Sequence, residues 1–248
     1  VESVRLETGL SGVNNRAVVG YQHGVLWGPR TLRDDAGQIV FDANGFPLRD
    51  NVEGVIGDPN PDWQGSLVGG ITYKKLSLSF LLETLQGADI FAGTKSALID
   101  YGRWGSTANE VTGNQNLLTY DGRVIPAGTS FRGEIKNFGD GPVALTQQWY
   151  NGPGAFFNGG NHELYIEDGS WTRLRELTLS YSLNPEWLNK GGIDRLEISG
   201  TGRNLFLKTA FEGNDPDTKV SGVSSSRGID YFNNPSTKSY VFSLTLTF

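Results

Sequence analysis

The sequence predicts an all-β protein, an antiparallel transmembrane β-barrel segment with long loops on one side. Three observations carry this. Residues 239–248 alternate with period two, with Tyr240, Phe242, Leu244, Leu246 and Phe248 on one face and Val241, Ser243, Thr245 and Thr247 on the other. Four further stretches share that period, and the connections between successive strands alternate short and long, as in outer-membrane barrels. Finally, apolar residues make up only 37% of the chain while glycine is abundant (34 residues). That suits strands apolar on every second residue and rich in polar loops.

Composition also excludes several function classes. There is no cysteine, so disulfides, zinc–thiolate sites and thiol catalysis are ruled out. A formal net charge of −6 argues against nucleic acid as a partner and leaves no basic membrane-surface patch. No apolar run approaches the roughly 18 residues of a transmembrane helix. Methionine is absent even at residue 1, so a processed or incomplete polypeptide is expected.

Taken in order, residues 1–9 alternate briefly at Val4 and Leu6 and read as the tail of a strand. Residues 14–49 are loop-like. Within them a small hairpin is expected about Asp42-Ala43-Asn44-Gly45, with Gly45 left-handed. Residues 57–63 are too dense in turn formers for regular structure.

The first convincing hairpin pairs strands near 64–73 and 76–85 across Lys74-Lys75. Leu67, Gly69, Ile71 and Tyr73 share one face, as do Leu76, Leu78, Phe80 and Leu82. Residues 87–170 are long and polar, with a short helix expected near 90–104; such a stretch is unusual in a compact soluble domain but normal for a barrel's extracellular loops.

A strand near 170–183 carries Leu177, Leu179, Tyr181 and Leu183 on one face. Trp171, Arg173 and Arg175 continue that apolar phase upstream. This fits only if that end lies above the hydrocarbon, because arginine at the midplane costs about 2–4 kcal/mol. Residues 184–192 read as one helical turn, with Asn184 as N-cap, Pro185 at the first position and Gly191 as terminator. A strand near 193–206 (Leu196, Ile198, Gly200, Gly202), a second polar loop at 208–238 and the closing strand at 239–248 complete the chain. Five strands cannot close, since the smallest membrane barrels have about eight. The chain is therefore expected to be part of a larger barrel, with Phe248 and both short turns on the periplasmic side.

Several motifs then fall in a known order. Gly57-Asp58-Pro59-Asn60-Pro61-Asp62-Trp63 precedes a strand, the Tyr73-Lys74-Lys75 turn and a Leu/Ser/Phe strand. The run from Tyr165 through Trp171, Arg173 and Arg175 to Tyr181 follows. Thr201-Gly202-Arg203-Asn204-Leu205-Phe206, Phe211-Glu212-Gly213-Asn214-Asp215-Pro216-Asp217 and the Phe248 ending complete the set. Together they resemble the late barrel of SusC/RagA-type TonB-dependent transporters.

That resemblance implies that residues 1–248 are the C-terminal part of a 22-stranded, plugged outer-membrane barrel of a Bacteroidota-type bacterium, with the plug domain absent. It implies import of oligosaccharides, peptides or similar nutrients, and no enzymatic activity. The implied partners are the rest of the same barrel with its plug, a SusD-like surface lipoprotein, the TonB complex through the missing portion, and the lipid bilayer. The alternative is a barrel segment that anchors a surface assembly or adhesin through protein-binding loops. A secreted carbohydrate-binding β-sandwich is disfavoured by the long loops and the terminal aromatic.

Candidate site residues are the loop aromatics Tyr101, Trp104, Trp149, Tyr150, Phe156 and Phe157, whose faces could stack on sugar rings or apolar peptide side chains. The competing reading is that they pin the loops together. Asn214, Asp215 and Asp217 crowd one loop and are candidate calcium ligands through hard oxygens, although Asn-Asp-Pro-Asp is also a common turn; no other cofactor is expected. Asp58, Asn60 and Asp62 read as a turn. His23 and His162, even with Glu163 and Glu167 near the latter, form no catalytic spacing. Tyr73, Tyr181, Trp187 and Phe248 read as interfacial aromatics.

Overall fold

A computed structural model describes the chain except residues 1, 8, 158, 185, 190 and 219–226. The chain divides into two compact units: Pro61–Gly87, Gly169–Phe211 and Asn234–Phe248 form one, and Val1–Asn60, Ala88–Asp168 and Glu212–Asn233 the other.

The first unit is a five-stranded antiparallel sheet. Its strands are β1 (Trp63–Tyr73), β2 (Leu76–Gln86), β3 (Trp171–Leu183), β4 (Arg195–Thr209) and β5 (Ser239–Thr247), in the spatial order β5-β4-β3-β2-β1. The β1–β2 turn is two residues long because Lys74 takes a left-handed φ of 55°, so that Tyr73 pairs directly with Leu76.

Register aligns the apolar alternation of every strand on one face. Tyr73, Leu76, Tyr181, Ile198 and Leu244 form one row across the sheet. Ile71, Leu78, Leu179, Gly200 and Phe242 form the next, then Gly69, Phe80, Leu177, Gly202 and Tyr240. Leu183, Leu196 and Leu246 extend the face at one end, and Leu67, Leu82, Leu174 and Phe206 at the other. Five rows two residues apart put the end rows about 27 Å apart along the strands. At a tilt of about 40° that becomes about 20 Å before side-chain width is added, close to the roughly 25 Å apolar band of membrane barrels. Tyr73, Ile71, Leu67, Tyr240, Leu244 and Phe242 on this face are exposed, Phe242 to 87%, whereas Phe80, Leu82, Leu174 and Leu177 are half-buried.

The opposite face carries hydroxyls, with Thr72, Ser77, Ser180, Ser199 and Ser243 in one row and Ser79, Thr178 and Thr201 in the next. Thr178 and Thr201 share a hydrogen bond of 2.8 Å, and Thr72 and Ser77 one of 3.0 Å. Val68, Leu81 and Val241 are apolar residues on this face, as are Leu207, Leu85 and Trp171 toward the end that carries Arg173.

The arginines of β3 correct the sequence reading. The register shifts between Leu174 and Glu176, so Arg175 is an extra residue in the strand. Such a bulge moves the alternation by one. Upstream of it, Leu174 takes the apolar face beside Leu82, and Arg173 pairs with Glu83 on the polar face. Arg175 also forms an ion pair with Glu83, and both guanidiniums lie over the Trp171 ring, 5.1 and 5.7 Å from its centre. The arginines are thus on the hydroxyl side rather than the apolar one.

Aromatics mark both ends of the apolar face. Tyr73, Tyr181 and Phe248 stand at the end with the short turns, as does the exposed Trp187 of the helical turn Glu186–Asn189. Trp63, Tyr240 and Phe206 stand toward the other end. The helical turn ends on Gly192, whose φ is +77°, rather than on Gly191, whose amide donates to the Leu188 carbonyl. The expectation for Pro185 lies outside the described residues.

The second unit replaces the expected polar loops with a folded domain. It holds a four-stranded sheet (Ser3–Arg5, Asn14–Val18, Val25–Gly28, Gly54–Gly57) and a three-stranded one (Ile166–Asp168, Asp89–Ala92, Ile229–Asp230). The helix expected near 90–104 is Gly93–Asp100, entered from a strand. The Asp42–Gly45 turn forms with Gly45 at φ +85°, and the Asp42 carboxylate accepts the Asn44 and Phe46 amides at 2.9 Å. This directs Phe46 inward to a core with Val13, Leu26, Phe91, Trp149, Phe156 and Ile229.

Candidate functional site

The structure divides the six nominated aromatics by where their rings go. Trp149 is buried among Phe46, Phe138 and Tyr120, at ring-centre distances of 5.0, 5.4 and 5.8 Å. Phe156 is 1% exposed and stacks between Phe91 and Tyr231. Both rings pack into the core, as in the reading that they pin the loops together, and Trp149 in addition walls a cavity. Burying an aromatic is favourable enough that a folded loop domain draws in most of those it has. Tyr150 is also buried, and its hydroxyl donates to Glu134 at 2.9 Å. Burial, then the Glu134 charge, raises the Tyr150 pKa, so it remains a neutral donor.

Tyr101 and Phe157 are exposed, at 65% and 50%, with ring centres 5.6 Å apart and planes inclined by 52°. Tyr101 lies just after the helix, and the Phe157 amide donates to Asp100 at 3.4 Å, which holds the two segments together. Trp104 is partly buried against the core.

Two cavities flank this region. One of about 330 Å³ is walled by Trp104, Phe138, Trp149 and Tyr150, with Lys95, Glu134, Lys136 and Glu212 as its charged groups. The other, of about 450 Å³, is lined by Tyr101, Arg132, Gln147, Gln148 and Asn151. Ile99 and Tyr150 line both. Sequence reasoning missed the charged residues, because nothing local distinguishes Lys95 or Glu212 from a solvated charge.

Lys95 is the electrostatic centre of the first cavity. Its ammonium donates to Glu167 and to Glu212, each at 2.7 Å, and lies 5.9 Å from the Trp104 ring centre. Glu167 also accepts the Glu212 amide at 2.9 Å. Burial disfavours the charged lysine, but the hydrogen bonds and charges of the two glutamates outweigh it and raise its pKa.

The remaining nominations are structural ties. His162 is buried, with Nε2 3.2 Å from the Phe156 carbonyl. Glu163 holds the Thr31 amide and Arg33. Asp58 closes its turn by accepting the Asn60 backbone and side-chain amides. Asp215 is buried and accepts the Asp217 amide at 3.0 Å, which is the geometry of a turn. Among the described residues no group of three or more His, Asp or Glu is placed to hold a metal ion, and Asn214, Asp215 and Asp217 gather no further acidic ligand.

The chain combines a barrel-like sheet and a loop domain rich in aromatics. No protein-family model matches the chain. TonB-dependent receptor P3 of Formosa agariphila is 24% identical over 221 residues, covering 87% of this chain and 19% of the relative. TonB-dependent receptor P39 of the same organism is 25% identical over 240 residues, covering 95% and 21%. The resemblance to SusC/RagA-type TonB-dependent transporters holds. Among solved structures, the RagAB peptide transporter aligns over the whole chain and 25% of its own, with a TM-score of 0.57 and 18% identity. The RagAB peptide importer in its closed-closed state aligns with a TM-score of 0.55 and 16% identity, again over the whole chain and 25% of its own. These two establish the SusC/RagA-like fold. The chain spans about a fifth of the length of the curated relatives it matches, and those relatives are receptors rather than enzymes.

Proposed function

We propose that this chain is the C-terminal barrel portion of an outer-membrane TonB-dependent nutrient importer of a Bacteroidota-type bacterium. The observation that carries the reading is the two-faced sheet: a continuous apolar face opposite a hydroxyl face, with β1 and β5 each paired on one side only. Lipid does not tolerate unpaired strand edges, so the remaining strands and the plug must come from the rest of the same barrel. That portion contacts TonB. The loop domain lies on the extracellular side beneath a SusD-like lipoprotein, and Phe248 lies at the periplasmic rim.

The cargo is an oligosaccharide, a peptide or a similar nutrient. Of the six nominated aromatics, Tyr101 and Phe157 are the two whose exposure suits contact with it. The test is uptake in cells whose copy carries Tyr101→Ala and Phe157→Ala. Reduced uptake with unchanged outer-membrane abundance is expected. A protein that partitions as a soluble monomer without detergent would overturn the reading.

The folded core of the loop domain favours one second reading, an anchor for a surface assembly or adhesin, because a domain with its own core can present a protein-binding surface. Uptake unaffected by the same two substitutions, with loss of a surface partner, would favour it.

A further inference from the structure

The geometry points to the cavity beside Lys95 as a binding site for a ligand carboxylate, which Glu212 occupies until the ligand displaces it. The two carboxylates on Lys95 are held very differently. Glu167 is mostly buried and uses both oxygens, one for Lys95 at 2.7 Å and one for the Glu212 amide at 2.9 Å. The Glu212 side chain is 61% exposed, and Lys95 is the partner its carboxylate has. Water competes for the Glu212 carboxylate, so holding it on Lys95 adds little stability. Of the two carboxylates, Glu212 is the exchangeable one.

Exchange keeps the charges balanced. An incoming carboxylate takes the Glu212 position on the ammonium, the released Glu212 returns to water, and no buried charge is left unpaired. The Glu212 backbone can stay in place, since its amide is held by Glu167. The body of the ligand would lie in the adjoining cavity of about 330 Å³, against Trp104, Phe138 and Trp149. That volume is near the lower end of the roughly 300–1,000 Å³ range of small-molecule pockets, enough for one sugar ring or one amino-acid residue. The carboxylate of an acidic sugar and that of a peptide C-terminus present the same chemistry to Lys95. A neutral ligand makes no such exchange.

The inference rests on the import reading only in taking the ligand to be cargo, and it is tested by binding, so its failure would leave import standing. The full-length protein that carries this chain, purified in detergent, is titrated with a galacturonate dimer and with the tripeptide Ala-Ala-Phe. Each is compared with its neutral counterpart, the methyl ester or the C-terminal amide. The readouts are calorimetry and fluorescence from Trp104 and Trp149. At least one acidic probe should bind about tenfold more tightly than its neutral form, and which one identifies the source.

Glu212→Gln should tighten that binding by about threefold to tenfold by removing the internal competitor, whereas a purely structural ion pair would give no gain. Lys95→Met should abolish it, and Lys95→Arg, which keeps the charge if the methionine variant does not fold, should retain it. Equal binding of acidic and neutral probes, binding of neither, or a Glu212→Gln variant that binds the acidic probe no more tightly would overturn the proposal.

Discussion

The ring of Phe80 lies across Gly69 on the neighbouring strand, so close that a Cβ added at residue 69 would sit 2.5 Å from its Cζ. The two are cross-strand partners on the apolar face, and the glycine is what lets a large ring lie flat there. Gly69→Val should expel the ring and cost about 1–3 kcal/mol by overpacking, read as a lower urea midpoint of the barrel refolded in liposomes. Gly65→Ala is the control, since the atom nearest its Cβ is 3.7 Å away on Trp63.

The two-faced sheet makes a position-by-position prediction. Leu179→Arg, in the middle of the apolar face, should destabilise the lipid-embedded protein by about 2–4 kcal/mol. Ser180→Arg, one residue on and facing the hydroxyl side, should cost much less. Equal losses for the two would contradict the face assignment.

Phe156 and Phe157 are adjacent in sequence and opposite in role. Phe156→Ala should destabilise the loop domain by about 3–5 kcal/mol, as for large-to-small core changes. Phe157→Ala should leave its stability within about 0.5 kcal/mol, as for surface positions. Hydrogen exchange at the amides of the helix Gly93–Asp100 would separate them.

His162 gives the loop domain a pH dependence. Its pKa is lowered, chiefly by burial, so the unfolded chain binds the proton more readily than the folded one. The stability it contributes is present above the unfolded value of 6.5 and is lost as pH falls below that value toward its folded pKa. Asp230 has the opposite sign: burial raises its pKa, so its protonation favours the fold. Trp149 fluorescence followed from pH 7.5 to 5 should show the His162 loss, and His162→Phe should flatten it.

The strands were legible in the sequence because each carries its signal locally: five runs of period two, 9 to 15 residues long, separated by turn formers. The loop domain was not. Phe46, Phe91, Phe156 and Ile229 lie in short apolar clusters or alone among glycines and polar groups, and they become a core only when distant segments meet. The bulge at Arg175 escaped for a related reason, since alternation read along one strand cannot reveal that the neighbouring β2 runs one residue short there. Of the cavity, the aromatics were visible by type, but which would face inward depended on partners such as Tyr231, far along the chain. Lys95 carried no pattern, and nothing near Glu167 or Glu212 in the sequence tied either to it.

The loop domain is built from three stretches of chain with membrane strands between them. Its ties run far along the sequence: the Arg227 amide reaches the Asn15 side chain 212 residues away, and the Phe232 amide reaches the Thr94 hydroxyl 138 residues away. Such distant closures are entropically slow, and here four strands of the large sheet lie between Asn15 and Arg227 and two between Thr94 and Phe232. The loop domain can close its core only once all three of its stretches are present, so a break in any strand between them should cost this domain its fold as well as the sheet.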